Sequence, residues 1–449
     1  MKKNKLKTTY VCNECGATFP TWVGRCSVCG SYNSVVEEIL QEKSTFKTYS
    51  TKEISPKPIT DLKVSINTER EKTGFKSLDN ALGGGLVSGQ VVLVSGEPGI
   101  GKSTLLLQVA SNFAKKSKVL YISAEESAYQ VYLRAERLDS LNENLYVLAD
   151  TNFENILSAV ENLNPKLIVL DSIQTVYSQS LESPAGSVSQ VKYVSGKITE
   201  ISKEKGIISL IVGQITKEGS IAGPKVLEHL VDTVAQFEGE RGYAYRILKI
   251  LKNRFGSSGE IAVFNMTDKG MEEVLDPSAF FISEKPDNQP GSVIFPFTEG
   301  AKPILVEVQA LVSKTFYPVP QRRSQGIDIN KISIITAIME NQLKINLKDK
   351  DIFVNVVGGM RVDEPAVDLA VALAILSSYK NVPIPSDTAV FGEIGLTGEV
   401  RSVHFEDIRI KECKNKGIKR IIAPTKHKDS TLEIKDIRKL NQIFSLINQ

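Results

Sequence analysis

The sequence predicts a multidomain α/β protein, and three observations carry that prediction. The chain has 449 residues, more than a single hydrophobic core ordinarily accommodates. Short runs of Val, Ile and Leu alternate with helical patterns over much of it, which is typical of βαβ units on a buried parallel sheet. Four of the five cysteines cluster near the start. We therefore expect a zinc-binding module at 1–33, a linker at 34–70, an α/β domain at 71–283 and a smaller α+β domain at 284–449.

The composition is that of a soluble globular protein, with 41% hydrophobic and 24% charged residues. A net charge of +3 neither requires nor excludes a nucleic-acid partner, so such a partner would have to bind local patches. The start, MKKNKLKTTYVCNEC, lacks the apolar run of a signal peptide. No segment approaches the roughly 18 apolar residues of a membrane helix. We expect a cytoplasmic protein with no membrane partner.

The cysteines of CNECGATFPTWVGRCSVCG have the spacing C-x2-C-x10-C-x2-C. Two such pairs of thiolates complete a tetrahedral Zn²⁺ shell with no open position, which predicts a structural zinc site. A reducing compartment favours metal over disulfides. Trp22 and Arg25, between the pairs, either contact a nucleic acid or pack the module, and the sequence leaves both open. The expected zinc ligands are Cys12, Cys15, Cys26 and Cys29.

The strands of the α/β domain are predicted from two patterns. Three later stretches alternate apolar and polar residues and contain turn glycines, which predicts antiparallel strands at the sheet edge: DTVAQFEG, AYRILKILKNRFG and GEIAVFNMTDKGMEEV. Continuous apolar runs predict the parallel strands: QVVLVSG, KVLYISA, NLYVLAD, KLIVLD and GIISLIVGQ. EKPDNQPG, at 284–291, predicts a second linker.

GEPGIGKST follows the first parallel strand and opens a helix, and it matches G-x-x-x-x-G-K-[ST] in full. Backbone N–H groups of such a turn and of the helix start cradle phosphates. We expect Lys102 to reach the β- and γ-phosphates of ATP and Ser103 to ligate Mg²⁺. The expected nucleotide-binding residues are Gly96, Glu97, Pro98, Gly99, Ile100, Gly101, Lys102, Ser103 and Thr104.

Other strands of this domain end in polar side chains, at the edge where ligands bind in such sheets. Asp171 ends KLIVLD and is expected to hold Mg²⁺ through water. Glu125 and Glu126 follow another strand, and one of them is the expected general base, although Glu126 also suits a solvated helix start. Gln214 ends GIISLIVGQ and is a candidate sensor of the γ-phosphate.

LKNRFG carries two cations, Lys252 and Arg254, which alternate on a predicted strand and so point to the same side. Such a pair suits a finger that completes the ATP site of a neighbouring subunit. It also suits a contact with DNA phosphates. A solvated edge strand is the third interpretation, and the residues alone leave the three open.

The stretch TGFKSLDNALGGGLVSGQVVLVSGEPGIGKSTLLLQ resembles the opening of a RecA-like ATPase core. With the cysteine motif before it and KNRFG after it, the chain is similar to the RadA (Sms) family of bacterial DNA repair proteins. The resemblance implies a nucleoid-associated, homohexameric, DNA-stimulated and helicase-like ATP hydrolase. Such an enzyme would translocate on single-stranded and branched DNA, drive branch migration and work with the RecA recombinase. It also implies that Glu125 is the catalytic glutamate and that Lys252 and Arg254 reach across a subunit interface.

FVNVVGGMRVDEPAVDLAVALAIL and VFGEIGLTGEVRSV resemble the Lon proteolytic domain. Ala366 stands where that family has its nucleophilic serine, and Arg409 stands where it has the partner lysine. Alanine has no hydroxyl to attack a carbonyl, and a guanidinium does not act as a base. The resemblance therefore implies a Lon-protease-like domain that is not a protease and that builds the ring.

The same domain carries further expectations. Asp363 is expected to cap the apolar helix that Pro365 opens, and Asp368 is expected to be a buried, paired acid. YPVPQRRSQGID places Arg322 and Arg323 either in a DNA-facing patch or in a solvated loop.

Three functions remain after this reading, and a DNA-translocating ATPase is favoured. An ATP-dependent protease is opposed by Ala366 and Arg409. A regulatory ATPase or kinase that acts on a protein is supported only by the near-neutral net charge.

Overall fold

The computed structural model describes residues 7–12, 16–40, 58, 70–214, 224–239, 245–282, 285, 289–299, 302–427 and 429–447. Contacts divide the chain into two units, Met1–Glu238 with Arg246–Glu273, and Gly239–Tyr245 with Val274–Gln449. In these described ranges, no helix has the length and apolarity needed to cross a bilayer.

The cysteine module is a small antiparallel sheet with spatial order β2-β1-β3, formed by β1 (Lys7–Cys12), β2 (Thr18–Phe19) and β3 (Val35–Leu40). Cys12, Cys26 and Val35 form its buried cluster. The strand β3 extends the sheet past residue 33, where the sequence places the start of the linker.

The α/β domain is built on one nine-stranded sheet. Its strands are β4 (Val91–Gly96), β5 (Val119–Ser123), β6 (Leu145–Ala149), β7 (Leu167–Asp171), β8 (Ile208–Gln214), β9 (Thr233–Glu238), β10 (Tyr245–Asn253), β11 (Ile261–Thr267) and β12 (Gly270–Glu273). The spatial order is β12-β11-β10-β9-β4-β8-β7-β5-β6. Strands β4 to β8 are mutually parallel and coincide with the five apolar runs, as predicted.

Helices cover both faces of this sheet, which explains why its central strands are apolar on both sides. The local sequence specifies where three of these helices begin. Ser127, Asn152 and Ser187 each cap a helix with the side-chain oxygen. The helices are α1 (Lys76–Ala81), α2 (Lys102–Ala114), α3 (Ala128–Arg137), α4 (Phe153–Leu163), α5 (Val188–Lys205) and α6 (Pro224–Leu230).

The direction of β9 differs from the prediction. The stretch DTVAQFEG was expected to be antiparallel, but β9 pairs with β4 in parallel, with Val92 opposite Thr233. The helix α6 precedes β9, and a helical crossover returns the chain to the same end of the sheet. The remaining edge strands follow the prediction where pairing is resolved, since β10 is antiparallel to β9 and β12 to β11.

The second unit is an α+β domain with a seven-stranded sheet and a separate two-stranded sheet. Its strands are β13 (Ser292–Glu299), β14 (Lys302–Lys314), β15 (Arg322–Gln325), β16 (Lys350–Val356), β17 (Thr388–Val390), β18 (Glu393–Ile394), β19 (Val400–Arg401), β20 (Arg420–Ala423) and β21 (Glu433–Asp436). The large sheet has the order β15-β16-β14-β13-β17-β20-β21. Its helices are α7 (Pro277–Ile282), α8 (Ile329–Leu343), α9 (Asp368–Lys380), α10 (Glu406–Asn415) and α11 (Ile443–Ile447).

The helix α9 is buried along most of its length, as its apolar sequence predicts. The predicted cap is wrong, because Asp363 instead pairs with Arg361 at the surface at 3.1 Å. A 3₁₀ turn, Pro365–Val367, precedes the helix and has no side-chain cap. The acid just before that turn, Glu364, is held by Arg409.

Candidate functional site

The loop between β4 and α2 has the form of a phosphate cradle. Gly96 and Gly101 have φ angles of 151° and 110°, which favour glycine. A Cβ on Gly101 would lie 2.3 Å from the terminal methyl of Met271, which would have to move, and the φ angle itself strains any larger residue. Gly101 is also the N-cap of α2 and provides no side-chain cap. The first N–H groups of α2 are therefore available to an anion.

Lys102 lies inside this loop and is only 5% exposed. Its Nζ donates to the carbonyl oxygens of Gly96 at 2.7 Å and Glu97 at 2.8 Å. Burial lowers the pKa of Lys102, and the carboxylates of Asp171, Glu125 and Glu97 oppose that shift. The lysine thus holds a desolvated charge beside the cradle, where a phosphate would neutralise it.

The strand register brings the predicted polar side chains to one edge of the sheet. Gly96 on β4 is opposite Gln214 on β8, and Ser123 on β5 is opposite Asp171 on β7. Gln214 Nε2 donates to Glu125 Oε1 at 2.7 Å across this edge. The P-loop, the two acids and the glutamine therefore meet where parallel sheets bind ligands.

The structure distinguishes the two adjacent glutamates. The carboxylate of Glu126 pairs with Arg134 on α3, and the backbone N–H and carbonyl of Glu126 bond to Ser123 Oγ. Glu126 therefore belongs to the entrance of the helix. Glu125 is the one whose carboxylate meets the ends of β7 and β8.

Tyr121 was missed by the sequence reasoning. Its hydroxyl donates to Asp171 Oδ2 at 2.7 Å, and its side chain is 1% exposed. Burial, followed by the charge of Asp171, raises the pKa of Tyr121 well above its ordinary value. The phenol therefore stays protonated and fixes one carboxylate oxygen. A hydroxyl in an otherwise aliphatic strand was the only signal in the sequence.

The residues of this edge fit ATP and Mg²⁺. The glycine cradle and the uncapped α2 suit phosphates, while Ser103 on the first turn of α2 and Asp171 at the end of β7 supply oxygen ligands. Magnesium prefers such ligands and is usually held by few protein oxygens together with phosphate. Ser103 and Asp171 are therefore the residues that would hold the metal.

Lys252 and Arg254 contact one short segment of their own chain. Lys252 Nζ donates to the carbonyl oxygens of Glu228 at 2.5 Å and Val231 at 2.8 Å. Arg254 pairs with the buried Asp232 at 3.2 Å while its side chain stays 50% exposed. Burial and then the charge of Arg254 lower the pKa of Lys252. The two cations thus contact the same segment, but not by strand alternation as predicted, because β10 ends at Asn253 and Arg254 lies in the turn that follows.

These cations lie at the end of the sheet opposite to the P-loop. Asn253, between them, is opposite Thr233, and Thr233 is opposite Val92 near the start of β4. The P-loop follows the other end of that six-residue strand. At about 3.3 Å per residue, the two ends are separated by roughly 15 Å or more. The chain does not bring Lys252 and Arg254 to its own nucleotide site.

Arg246, which no motif indicated, lies at the other end of β10. Its Nε donates to the carbonyl oxygen of Ile100 in the P-loop at 3.0 Å. The antiparallel course of β10 puts this arginine at the P-loop edge, so β10 carries cations at both ends of the sheet.

The cysteine module has the geometry of a zinc site. The sulfurs of Cys12, Cys26 and Cys29 all lie within 4.8 Å of one another, and Cys12 and Cys29 are 3.7 Å apart. A tetrahedral site with Zn–S bonds of about 2.3 Å places its sulfurs about 3.8 Å apart, so the spacing fits. Gly16 and Gly30 N–H groups donate to the Cys12 and Cys26 carbonyls, forming matching turns. The fourth expected ligand, Cys15, lies outside the described residues.

Contacts within the module bear on the two interpretations of Trp22 and Arg25. Arg25 donates to the Gly30 carbonyl at 3.0 Å and stacks over Tyr32 with 5.1 Å to the ring centroid. Trp22 donates its indole N–H to the Val35 carbonyl, yet its side chain is 58% exposed. These contacts favour packing for Arg25 and leave the Trp22 ring on the surface.

Two residues before Ala366 in the second unit, Glu364 forms an ion pair with Arg409. Ala366 is buried, and Arg409 is 1% exposed and lies against the rings of Phe295 and Phe391. Its guanidinium donates to both carboxylate oxygens of Glu364. No nucleophilic atom is present at position 366, and the neighbouring base position carries a fully engaged cation.

The structure also shows the partner of Asp368 and the exposure of Arg322 and Arg323 in this unit. Asp368 is buried and pairs with Lys331 at 3.0 Å, which supplies the partner that the sequence could not name. Arg322 donates to the carbonyl oxygens of Gln321 and Leu347 and is only partly exposed, whereas Arg323 is exposed. Any surface patch on this segment therefore depends on Arg323 rather than on both arginines.

Family models match three parts of the chain. The model described as the KaiC ATPase matches residues 71–150 and 149–277. The rubredoxin metal-binding domain model matches residues 10–37, over the cysteine module. The model described as subunit ChlI of Mg-chelatase matches residues 327–427, in the second unit. The first two agree with an ATPase core and a zinc ribbon.

Similar proteins cover nearly the whole chain. The DNA repair protein RadA of Aquifex aeolicus is 59% identical over 420 residues, covering 94% of each chain. The protein of that name from Bacillus subtilis is 45% identical over 439 residues, covering 96% of each. The one from Listeria monocytogenes is 45% identical over 441 residues, covering 98% of this chain and 96% of its own. The match thus includes the cysteine module, the core and the second unit.

Proposed function

The chain belongs to the family of DNA repair protein RadA, and from this premise we propose that it is a DNA-dependent motor. Its RecA-like core is an ATPase domain, which implies ATP and Mg²⁺. The proposed motor couples ATP hydrolysis to translocation on DNA and to branch migration of recombination intermediates. Its partners would be single-stranded and branched DNA and the RecA recombinase.

Each polar residue at the carboxyl edge has a proposed role. Lys102 would neutralise the β- and γ-phosphates from its buried position in the cradle. Ser103 and Asp171 would hold Mg²⁺, which supplies charge neutralisation at the transferred phosphoryl group. Glu125 would take the proton of the attacking water. Gln214, which bonds to Glu125, would exchange that contact for the γ-phosphate and so report the nucleotide state to the segment that follows it.

The position of Lys252 and Arg254 carries the proposal of a motor. Both lie at the amino end of β4, while the P-loop lies at its carboxyl end. This distance from their own P-loop supports the proposal that they serve a neighbouring subunit. The half-exposed Arg254 is available to such a neighbour. A ring in which each subunit completes the next ATP site would couple hydrolysis to movement, and we propose a homohexamer.

The second unit would form a scaffold for that ring. The Lon-like resemblance, Ala366 and the pair of Glu364 with Arg409 support a domain that is not a protease. The proposed boundary between the ATPase domain (71–283) and the Lon-protease-like domain (284–449) moves to Glu273 and Val274, because α7 belongs to the second unit. The cysteine module, predicted at 1–33 and extended by β3 to Leu40, would hold zinc.

ATP hydrolysis with and without single-stranded DNA tests the proposal. We expect strong stimulation by DNA in the wild type, lost in Lys252→Ala because the neighbouring site is no longer completed. Nucleotide binding should be retained, since Lys252 lies away from its own P-loop. Lys269→Ala removes an exposed charge from the same domain and should behave as the wild type.

Turnover that ignores DNA in the wild type would contradict the motor and favour a regulatory ATPase that acts on a protein. If Lys252→Ala fails to fold because its two backbone contacts are lost, Arg254→Ala decides the matter, since that side chain is half exposed. Full DNA stimulation in a folded Arg254→Ala protein would remove the support for a finger.

A further inference from the structure

A buried hydroxyl contacts one of the two carboxylates of the nucleotide site. Ser172 follows Asp171 at the end of β7 and is 0% exposed. Its Oγ donates to Oε1 of Glu125. We propose that Ser172 is a positioning residue that orients Glu125 for its reaction with water. This inference rests on the proposed role of Glu125 as the general base.

The position of Glu125 explains the need for such a contact. Strand β5 ends at Ser123, so Glu125 lies beyond the sheet, and its side chain is exposed. A long, exposed acid samples many rotamers unless a fixed group holds it. Ser172 is such a group, because it is buried and its own carbonyl accepts from Thr175 Oγ1 at 2.9 Å. The hydroxyl thus ties a mobile side chain to the rigid edge of the sheet.

The two donors to Glu125 differ in what they can do. Gln214 and Ser172 both donate to Oε1, which leaves Oε2 as the oxygen that can accept a proton from water. In the proposed cycle Gln214 turns to the γ-phosphate and leaves Glu125. Ser172 would then be the donor that keeps the carboxylate oriented during hydrolysis. No contact of Ser172 with nucleotide is required.

The experiment compares Ser172→Ala with the wild type in the full-length protein, with the enzyme in excess over ATP and with DNA saturating. Single-turnover hydrolysis should fall about 10- to 100-fold, as for other residues that orient a reacting group. The dissociation constant for a non-hydrolysable ATP analogue should change less than about twofold, since the cradle is intact. Ser209→Ala removes another fully buried serine hydroxyl of the same sheet, bonded to Ser202, and should hydrolyse ATP as the wild type does.

A second background separates positioning from general stability. In Glu125→Gln the addition of Ser172→Ala should have no further effect on residual hydrolysis, because the two residues act as one unit. An equal loss in both backgrounds would show a merely structural role and overturn the proposal, as would unchanged turnover in Ser172→Ala.

Two further outcomes are informative. If Ser172→Ala does not fold, Ser172→Cys keeps the volume with a weaker donor, and an unimpaired Ser172→Cys enzyme would overturn the proposal. If Glu125→Gln alone retains wild-type turnover, the proposed role of Glu125 fails. An inactive Glu125→Gln beside a normal Ser172→Ala would instead refute only the positioning role.

Discussion

Two regions of the molecule each gather charged side chains around one buried cation, Lys102 or Arg409, and they differ in how those charges meet. At the nucleotide edge, Lys102 donates to carbonyl oxygens of its own loop, while Asp171 and Glu125 are held by hydroxyl and amide donors. In the second unit, Arg409 donates directly to the carboxylate of Glu364. The first arrangement keeps its charges for a ligand, whereas the second neutralises them internally.

The pair of Arg409 with Glu364 also has more of its hydrogen bonds made than a catalytic dyad could have. Beyond Glu364, the guanidinium of Arg409 donates to Thr298 Oγ1 at 2.6 Å and to the carbonyl oxygens of Pro296 and His404. A reacting base needs a free electron pair, and this group offers none. A buried charge in this protein therefore indicates a functional site only where no oppositely charged side chain is bonded to it. This comparison leads to three predictions, in order of decreasing effect.

The largest effect is expected from Lys102→Ala. Removing the ammonium from the cradle should lower ATP turnover by at least about 100-fold, the size of a lost transition-state contact with developing charge. Steady-state hydrolysis measures it, with the thermal transition as the check on folding. Lys115→Ala, at the exposed end of the same helix, is the matched control and should leave turnover unchanged. Equal losses in both variants would mean that the cradle has no special role.

A smaller effect, on stability rather than turnover, is expected from Arg409→Met. Leaving the partly buried Glu364 and the acceptors of Pro296 and Thr298 without their donor should destabilise the second unit by about 3 kcal/mol, the lower end of the cost of breaking a buried pair. The midpoint of that unit's denaturant transition measures the loss, while ATP hydrolysis by the core should persist. Arg401→Met breaks a surface pair with Glu399 and should lower stability by no more than about 1 kcal/mol. If the two variants lower the transition midpoint equally, the pair of Arg409 with Glu364 stabilises the second unit no more than a surface pair does.

The smallest effect is expected at Asp368. Burial raises the pKa of Asp368 above its ordinary 3.8, and Lys331 opposes this only in part. The folded state therefore holds the proton more tightly than the unfolded state, and this stabilisation is lost as pH rises through the raised pKa. Relative to Asp368→Asn, the wild type should lose at most about 1 kcal/mol between pH 3.8 and neutrality.

Paired denaturant titrations across pH measure this difference. The exposed Asp363→Asn is the control and should show no such trend relative to the wild type. A wild type that gains stability over Asp368→Asn as pH rises would reverse the sign and show that Lys331 dominates the site.

Features that depend on spacing along the chain could be predicted from the amino-acid sequence alone. The P-loop, the cysteine pairs, the parallel strands and the acids and amide at their ends were all readable, because each is a local pattern with one physical cause. The family resemblance was equally legible, since it covers the whole chain. The predicted cap at Asp363 failed for a different reason, because another local contact, with Arg361 two residues away, engages the same carboxylate.

The contacts between side chains on different strands and helices could be seen only in the folded structure. In the folded chain Glu125, and not Glu126, contacts Ser172, and Tyr121 contacts Asp171. The strand β9 is parallel to β4. Lys252 and Arg254 lie at the far end of the sheet from the P-loop. These facts depend on register and crossover direction, which join residues far apart in sequence, and no local pattern specifies such distances.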